Sequence, residues 1–153
     1  MPLPPLPDSA ITVGAHASDW REAVELAGAA LANSGAVEAG YGARMIQVID
    51  EFGAYIVIAP GLALAHARPG SDVITDGLSV VILAEPVAFG HPHNDPVSVV
   101  IGLAVSTPDA HVTSVAELAN VFNNPGAIPA LAAASDVAEV KRIMAASEDG
   151  GAA

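Results

Sequence analysis

Apolar residues recur along this chain in two rhythms, one of helices and one of strands. Trp20, Val24, Ala27 and Leu31 fall at the steps that put side chains on one face of a helix. Ser18 or Asp19 is placed to cap that helix, and Asn33-Ser34-Gly35 to stop it. Tyr41, Met45, Val48 and Phe52 repeat the spacing up to Gly53. Two such helices joined by a short loop can cover one face of a sheet. A β-branched stretch at 11–13 precedes them as a first strand. After them the rhythm changes. Segments 55–59, 62–66, 78–83 and 97–105 read as strands, and 87–89 either extends the third of these or forms a short strand of its own. Segments 78–83 and 97–105 are almost wholly apolar, the pattern of strands covered on both faces. The chain then returns to helix. Ser114-Val115-Ala116-Glu117 reads as a capping box opening a helix to Phe122. A turn of helix at 129–134 and a last helix over 136–145, with Val137, Val140 and Met144 inward, complete the pattern. The expected organisation is one α/β domain over 11–146, between a Pro-rich tail at 1–10 and a C-terminal tail at 147–153.

Composition narrows the classes. A chain of 153 residues suits a single domain. Its charged fraction is 14%, against about 25% in ordinary domains, so much of it is core. The net charge of −12 repels phosphate backbones, which sets nucleic acid aside, and it suits a basic protein partner. Without cysteine there is no disulfide, no thiolate metal site and no cysteine nucleophile. The start, MPLPPLPDSA, has neither the basic nor the apolar region of a signal peptide. No apolar run approaches the ~18 residues that span a bilayer. A cytoplasmic protein, not inserted in a membrane, is the expectation.

The candidate chemistry lies in five histidines, His16, His66, His91, His93 and His111. His66 ends a strand, and Arg68 follows two residues later, on the same side if the strand continues. His111 stands just upstream of the expected helix start, where free N–H groups can hold an anion. A nucleophile, a cation and an anion-tolerant helix end together suit phosphoryl transfer through histidine. On spacing alone, a strand-end histidine equally reads as structural and Arg68 as a solvated edge residue. His91-Pro92-His93 with Asp95 offers a second chemistry, since His-x-His is a zinc-ligand spacing that His66 or His111 could complete. The plain reading of that loop is solvated. His16 reads as a surface or capping residue. Dinucleotide, P-loop and serine-elbow motifs are absent.

Three ordered motifs carry a resemblance: IVIAPGLALAHARP, then GLSVVILAEPVAFGH, then NDPVSVVIGLAVSTPDAHVTSVAELANVF. They resemble the mannitol/fructose type enzyme IIA domains of the bacterial sugar phosphotransferase system, and most closely the ascorbate branch. The resemblance implies a mixed, mostly five-stranded sheet flanked by helices on both faces. It implies a relay in which the phosphocarrier HPr phosphorylates a histidine here, enzyme IIB receives the group, and the IIC permease imports the sugar. It implies that His66 is the phosphorylated residue and His111 its neighbour in the site, with no cofactor and no metal. His91 fits the family pattern without an assigned role. Two departures stand out. Ala65 precedes His66 where the family often has proline. Mannitol-type members carry a base near the end of the second helix, where this chain reads Gln47-Val48-Ile49-Asp50-Glu51. The phosphoryl-stabilising cation is then Arg68, Arg44 or a residue of the partner. Three alternatives stand beside the relay: a regulatory phospho-domain of the same superfamily, a protein in which the histidines are inert, and a metal-binding protein using the His91/His93 loop.

Overall fold

A computed structural model describes the backbone of residues 3–152 and the side chains of residues 3–145. The last helix runs on to Ala152, through most of the expected C-terminal tail at 147–153, whose side chains lie outside those described, as do Met1 and Pro2. Five strands form one sheet: β1 (Ile11–Ala15), β2 (Val57–Ala59), β3 (Leu62–His66), β4 (Gly77–Val87) and β5 (Val97–Ala104). Their order across the sheet is β1-β4-β5-β3-β2. β1 and β4 run parallel, as do β3 and β5, while β4–β5 and β2–β3 are antiparallel. The sheet is therefore mixed and five-stranded, as expected. The doubtful stretch at 87–89 resolves as an extension of β4 to Val87. The expected strand at 55–59 is shortened, because Ala54–Ile56 form a 3-10 turn before β2.

The helices are α1 (Trp20–Asn33), α2 (Tyr41–Phe52), α3 (Pro108–Phe122), α4 (Ala127–Ala132) and α5 (Val137–Ala152). Alternation along the strands sorts them into two layers. Leu62 and Leu64 of β3, Val80 and Ile82 of β4, and Val99, Ile101 and Leu103 of β5 share one core with Leu118, Leu131, Val140 and Met144. That side is covered by α3, α4 and α5. The alternate positions Ala63, Ala65, Val81, Val100 and Ala104 share the other core with Val24, Ala27, Leu31, Tyr41, Met45 and Ile49. That side belongs to α1 and α2. The two helices cross at glycines, and a Cβ added to Gly28 would lie 2.6 Å from the Cα of Gly42. Parity places the His66 side chain with Leu62 and Leu64, on the α3 side.

The Pro-rich start is not a free tail where it is described. Leu3 and Leu6 pack against the α3–α5 core, and the Leu78 N–H donates to the Pro5 carbonyl at 3.1 Å. Among the described residues no helix is long and apolar enough to cross a membrane.

Candidate functional site

β3 is buried until its last residue. Leu62, Ala63, Leu64 and Ala65 are all buried, and His66 emerges half-buried at the strand end. Opposite it stands α3, which begins earlier than the sequence pattern predicts. Thr107 Oγ1 accepts the Ala110 N–H at 3.1 Å, Pro108 opens the helix and Asp109 sits in its first turn. Ser114, expected as the cap, is instead buried inside the helix. A Thr-Pro-Asp start satisfies an N-terminus better than a capping box whose serine faces the core. His111 therefore rides on the first turn of α3 rather than upstream of it. The two rings meet, with centroids 5.1 Å apart and planes inclined at 47°. Tyr55 approaches His66 edge-on, at 6.0 Å between centroids.

Hydrogen bonding fixes which nitrogen of His66 can react. Its Nδ1 lies 3.0 Å from the Leu64 carbonyl oxygen. A carbonyl only accepts, so Nδ1 carries the hydrogen and Nε2 holds the lone pair. Burial pushes the pKa of this ring below its ordinary value; the Leu64 bond opposes that shift and the nearby His111 adds to it. The ring is thus neutral at neutral pH, the form that can attack an electrophile.

The chain leaving His66 is held tightly. The Tyr41 hydroxyl accepts the Ala67 N–H at 3.1 Å and donates to the Leu103 carbonyl at 2.7 Å, joining the ends of β3 and β5. Arg44 forks onto Asp72, with both nitrogen–oxygen distances 2.8 Å, and its Nη2 also donates to the Arg68 carbonyl at 2.8 Å. Arg44 is thereby engaged as a clamp on the loop, which weighs against it as the phosphoryl cation. Arg21 and Lys141 are likewise paired, with Asp50 and Asp8. The Arg68 side chain is exposed, borders the site and makes no hydrogen bond or ion pair among the described residues.

An open cleft of about 1090 Å³ surrounds the histidines, between α2 and the start of α3. It is lined by His66, His111 and Arg68 together with Gln47, Glu51, Phe52, Tyr55, Pro108 and Val112. The sequence pattern assigned Phe52 to the core. It is instead 61% exposed, because the last residue of α2 stands over the cleft while Ile49 takes the buried place. Val112 is 67% and Tyr55 49% exposed, so with Phe52 they form an apolar collar within a lining that also carries Gln47 and Glu51. Only an aromatic at the extreme end of a helical stripe could have signalled this beforehand.

The second histidine cluster is a loop staple, which corrects the metal-binding alternative. The Asp95 carboxylate accepts the N–H groups of Phe89, Gly90 and His91. His91 Nδ1 accepts those of His93 and Asn94, at 3.1 and 2.9 Å. His91 Nδ1 and the Asp95 carboxylate are thus engaged with backbone, and this loop precedes β5, at the opposite end of the sheet from His66 and His111. No cluster of three or more metal-ligating side chains occurs among the described residues. His16 is exposed, as expected.

With this geometry in view, the likeness to known proteins is specific. The chain is 34% identical over 134 residues to the ascorbate-specific PTS system EIIA component of Salmonella choleraesuis, covering 87% of each chain. It is 35% identical over 118 residues to the component of the same description from Escherichia coli K12, covering 76% of this chain and 77% of that one. Among solved structures, the complex of enzyme IIA mannitol with phosphorylated enzyme IIB mannitol from Escherichia coli superposes with a TM-score of 0.81 at 26% identity, covering 93% of this chain and 98% of that one. Residues 5–147 match the family described as phosphoenolpyruvate-dependent sugar phosphotransferase system, EIIA 2. The five-stranded mixed sheet and these matches agree, and the chain belongs to the EIIA 2 family of the sugar phosphotransferase system.

Proposed function

We propose that this chain carries a phosphoryl group on Nε2 of His66, taking it from HPr and passing it to enzyme IIB, which hands it to the sugar as the IIC permease imports it. The observation that carries this reading is the bond from His66 Nδ1–H to the Leu64 carbonyl, which leaves Nε2 as the reactive nitrogen. In the step, the Nε2 lone pair forms a bond to phosphorus as the bond to the donor breaks. No proton needs to move, since Nδ1 keeps its hydrogen and the Leu64 oxygen faces the positive charge gained by the ring. Arg68 supplies the cation for the phosphoryl oxygens, and His111 stands beside them. The apolar collar of Phe52, Tyr55 and Val112 forms the dry centre of the partner contact. The complex of the related mannitol IIA with its phosphorylated IIB supports IIB as the acceptor. The relatives make the ascorbate branch the first to test. The site of action is the cytoplasm.

The test is labelling with phosphoenolpyruvate, enzyme I and HPr from the same organism. Wild-type protein should gain one acid-labile, base-stable phosphoryl group, and His66→Ala none. Normal labelling of His66→Ala would overturn the assignment.

A further inference from the structure

We infer that the segment between β3 and β4 is a two-point bracket that sets the spacing of the site, and that Asp76 is a positioning residue acting through His111. The inference rests on the reading that His66 and His111 work as a pair. The chain leaves the sheet at His66 and re-enters it at Gly77. One anchor of the bracket is Asp72, which holds Arg44, which in turn holds the Arg68 carbonyl. The Arg44 guanidinium packs directly over this segment, its Nη2 lying 2.9 Å from where a Cβ on Gly70 would stand. Its next residues are tied to the α1–α2 connection: the Asp72 carbonyl accepts the Glu38 N–H and the Ile74 N–H donates to the Ala36 carbonyl, each at 2.8 Å.

The other anchor is Asp76. Its Oδ1 accepts both the backbone N–H of Ser106 at 2.8 Å and the Ser106 hydroxyl at 3.0 Å. Ser106 adjoins Thr107, the cap of α3, and His111 lies one turn into that helix. Two bonds from one oxygen to one residue fix where the chain enters α3 and in which direction. They are not needed to cap the helix, because Thr107 already accepts the Ala110 N–H. What they add is a tie between the helix that carries His111 and the loop that follows His66. One segment thus holds both halves of the site, the β3 exit through Asp72 and the α3 entry through Asp76.

The test compares Asp76→Ala, which removes the acceptor, with Asp76→Asn, which keeps an Oδ1 acceptor and removes the charge. Proton NMR should show a nuclear Overhauser contact between the His66 and His111 rings in wild type and in D76N, and its loss in D76A. Phosphoryl uptake from HPr should slow roughly tenfold in D76A, the scale expected for a displaced site group, and recover in D76N. In a His111→Ala background, D76A should slow uptake no further. Ser106→Ala, which deletes the hydroxyl bond at an exposed position, should give a smaller loss and covers the case in which D76A folds poorly. Equal slowing by D76A and D76N would assign the effect to charge and overturn the inference. So would full slowing by D76A in the His111→Ala background, or an unchanged ring contact. If wild type takes up no phosphoryl group, the carrier reading fails, while the ring contact still decides the bracket.

Discussion

At the scale of single residues, His66 and Tyr41 set the terms. Burial keeps the His66 pKa below the ordinary 6.5, so the unfolded chain takes up this proton before the folded chain does as pH falls. The stability tied to a neutral His66 is therefore present above about pH 6.5 and is lost as pH falls through the lower folded value. Thermal melts over this range should show a steeper loss in wild type than in His66→Gln. Parallel curves for the two proteins would contradict the burial argument. Phosphoryl uptake should follow the same neutral form, flat above the transition and falling below it. Tyr41→Phe removes a hydroxyl that serves two buried backbone groups, the N–H of Ala67 and the carbonyl of Leu103. Leaving them unpartnered costs about 1–3 kcal/mol, measurable by urea denaturation; a change well under 1 kcal/mol would mean that water enters to replace the hydroxyl. His66 was legible in the sequence because a buried run ending in a histidine is a local pattern. The Tyr41 network was not, since its partners stand 26 and 62 positions away and nothing about a tyrosine in an apolar stripe declares them.

At the scale of elements, the strands and most helices follow from periodicity, and the failures are at ends. α3 was misplaced because Ser114 and Glu117 match a capping pattern, yet Ser114 faces the core and Thr107-Pro108 makes the real start. Phe52 lies within the apolar stripe of α2 and so reads as core, but at the end of the helix it lines the cleft and is exposed. The crossing of α1 and α2 gives a prediction at this scale. Alanine in place of Gly28 would raise helix propensity by up to about 1 kcal/mol. It would also drive a methyl group to 2.6 Å from the Gly42 Cα, where backbone rather than a mobile side chain must yield. Overpacking of this kind costs about 1–3 kcal/mol, so Gly28→Ala should lower Tm. A raised Tm would show that the two helices part freely.

At the scale of the whole molecule, an acidic body carries a small apolar mouth. A chain of net charge −12 carries a collar of Phe52, Tyr55 and Val112 over two imidazoles. Such a field hastens the approach of a basic carrier and is screened within about 8 Å at physiological salt. The second-order rate of uptake from HPr should therefore fall as ionic strength rises, with the rate of transfer inside the complex unchanged. A second-order rate indifferent to salt would remove steering from the account. Neither charge total nor composition reveals the collar, because its members come from α2, the turn before β2 and α3 and meet only in the fold. The Leu64 carbonyl has one more consequence. In the proposed step the ring keeps the same hydrogen before and after loading, so the imidazole that receives the group would also be the imidazole that releases it. Under the proposed carrier role, a domain built this way would have no preferred direction of its own; it would work as a two-way exchange, with traffic running toward whichever neighbour is being emptied faster.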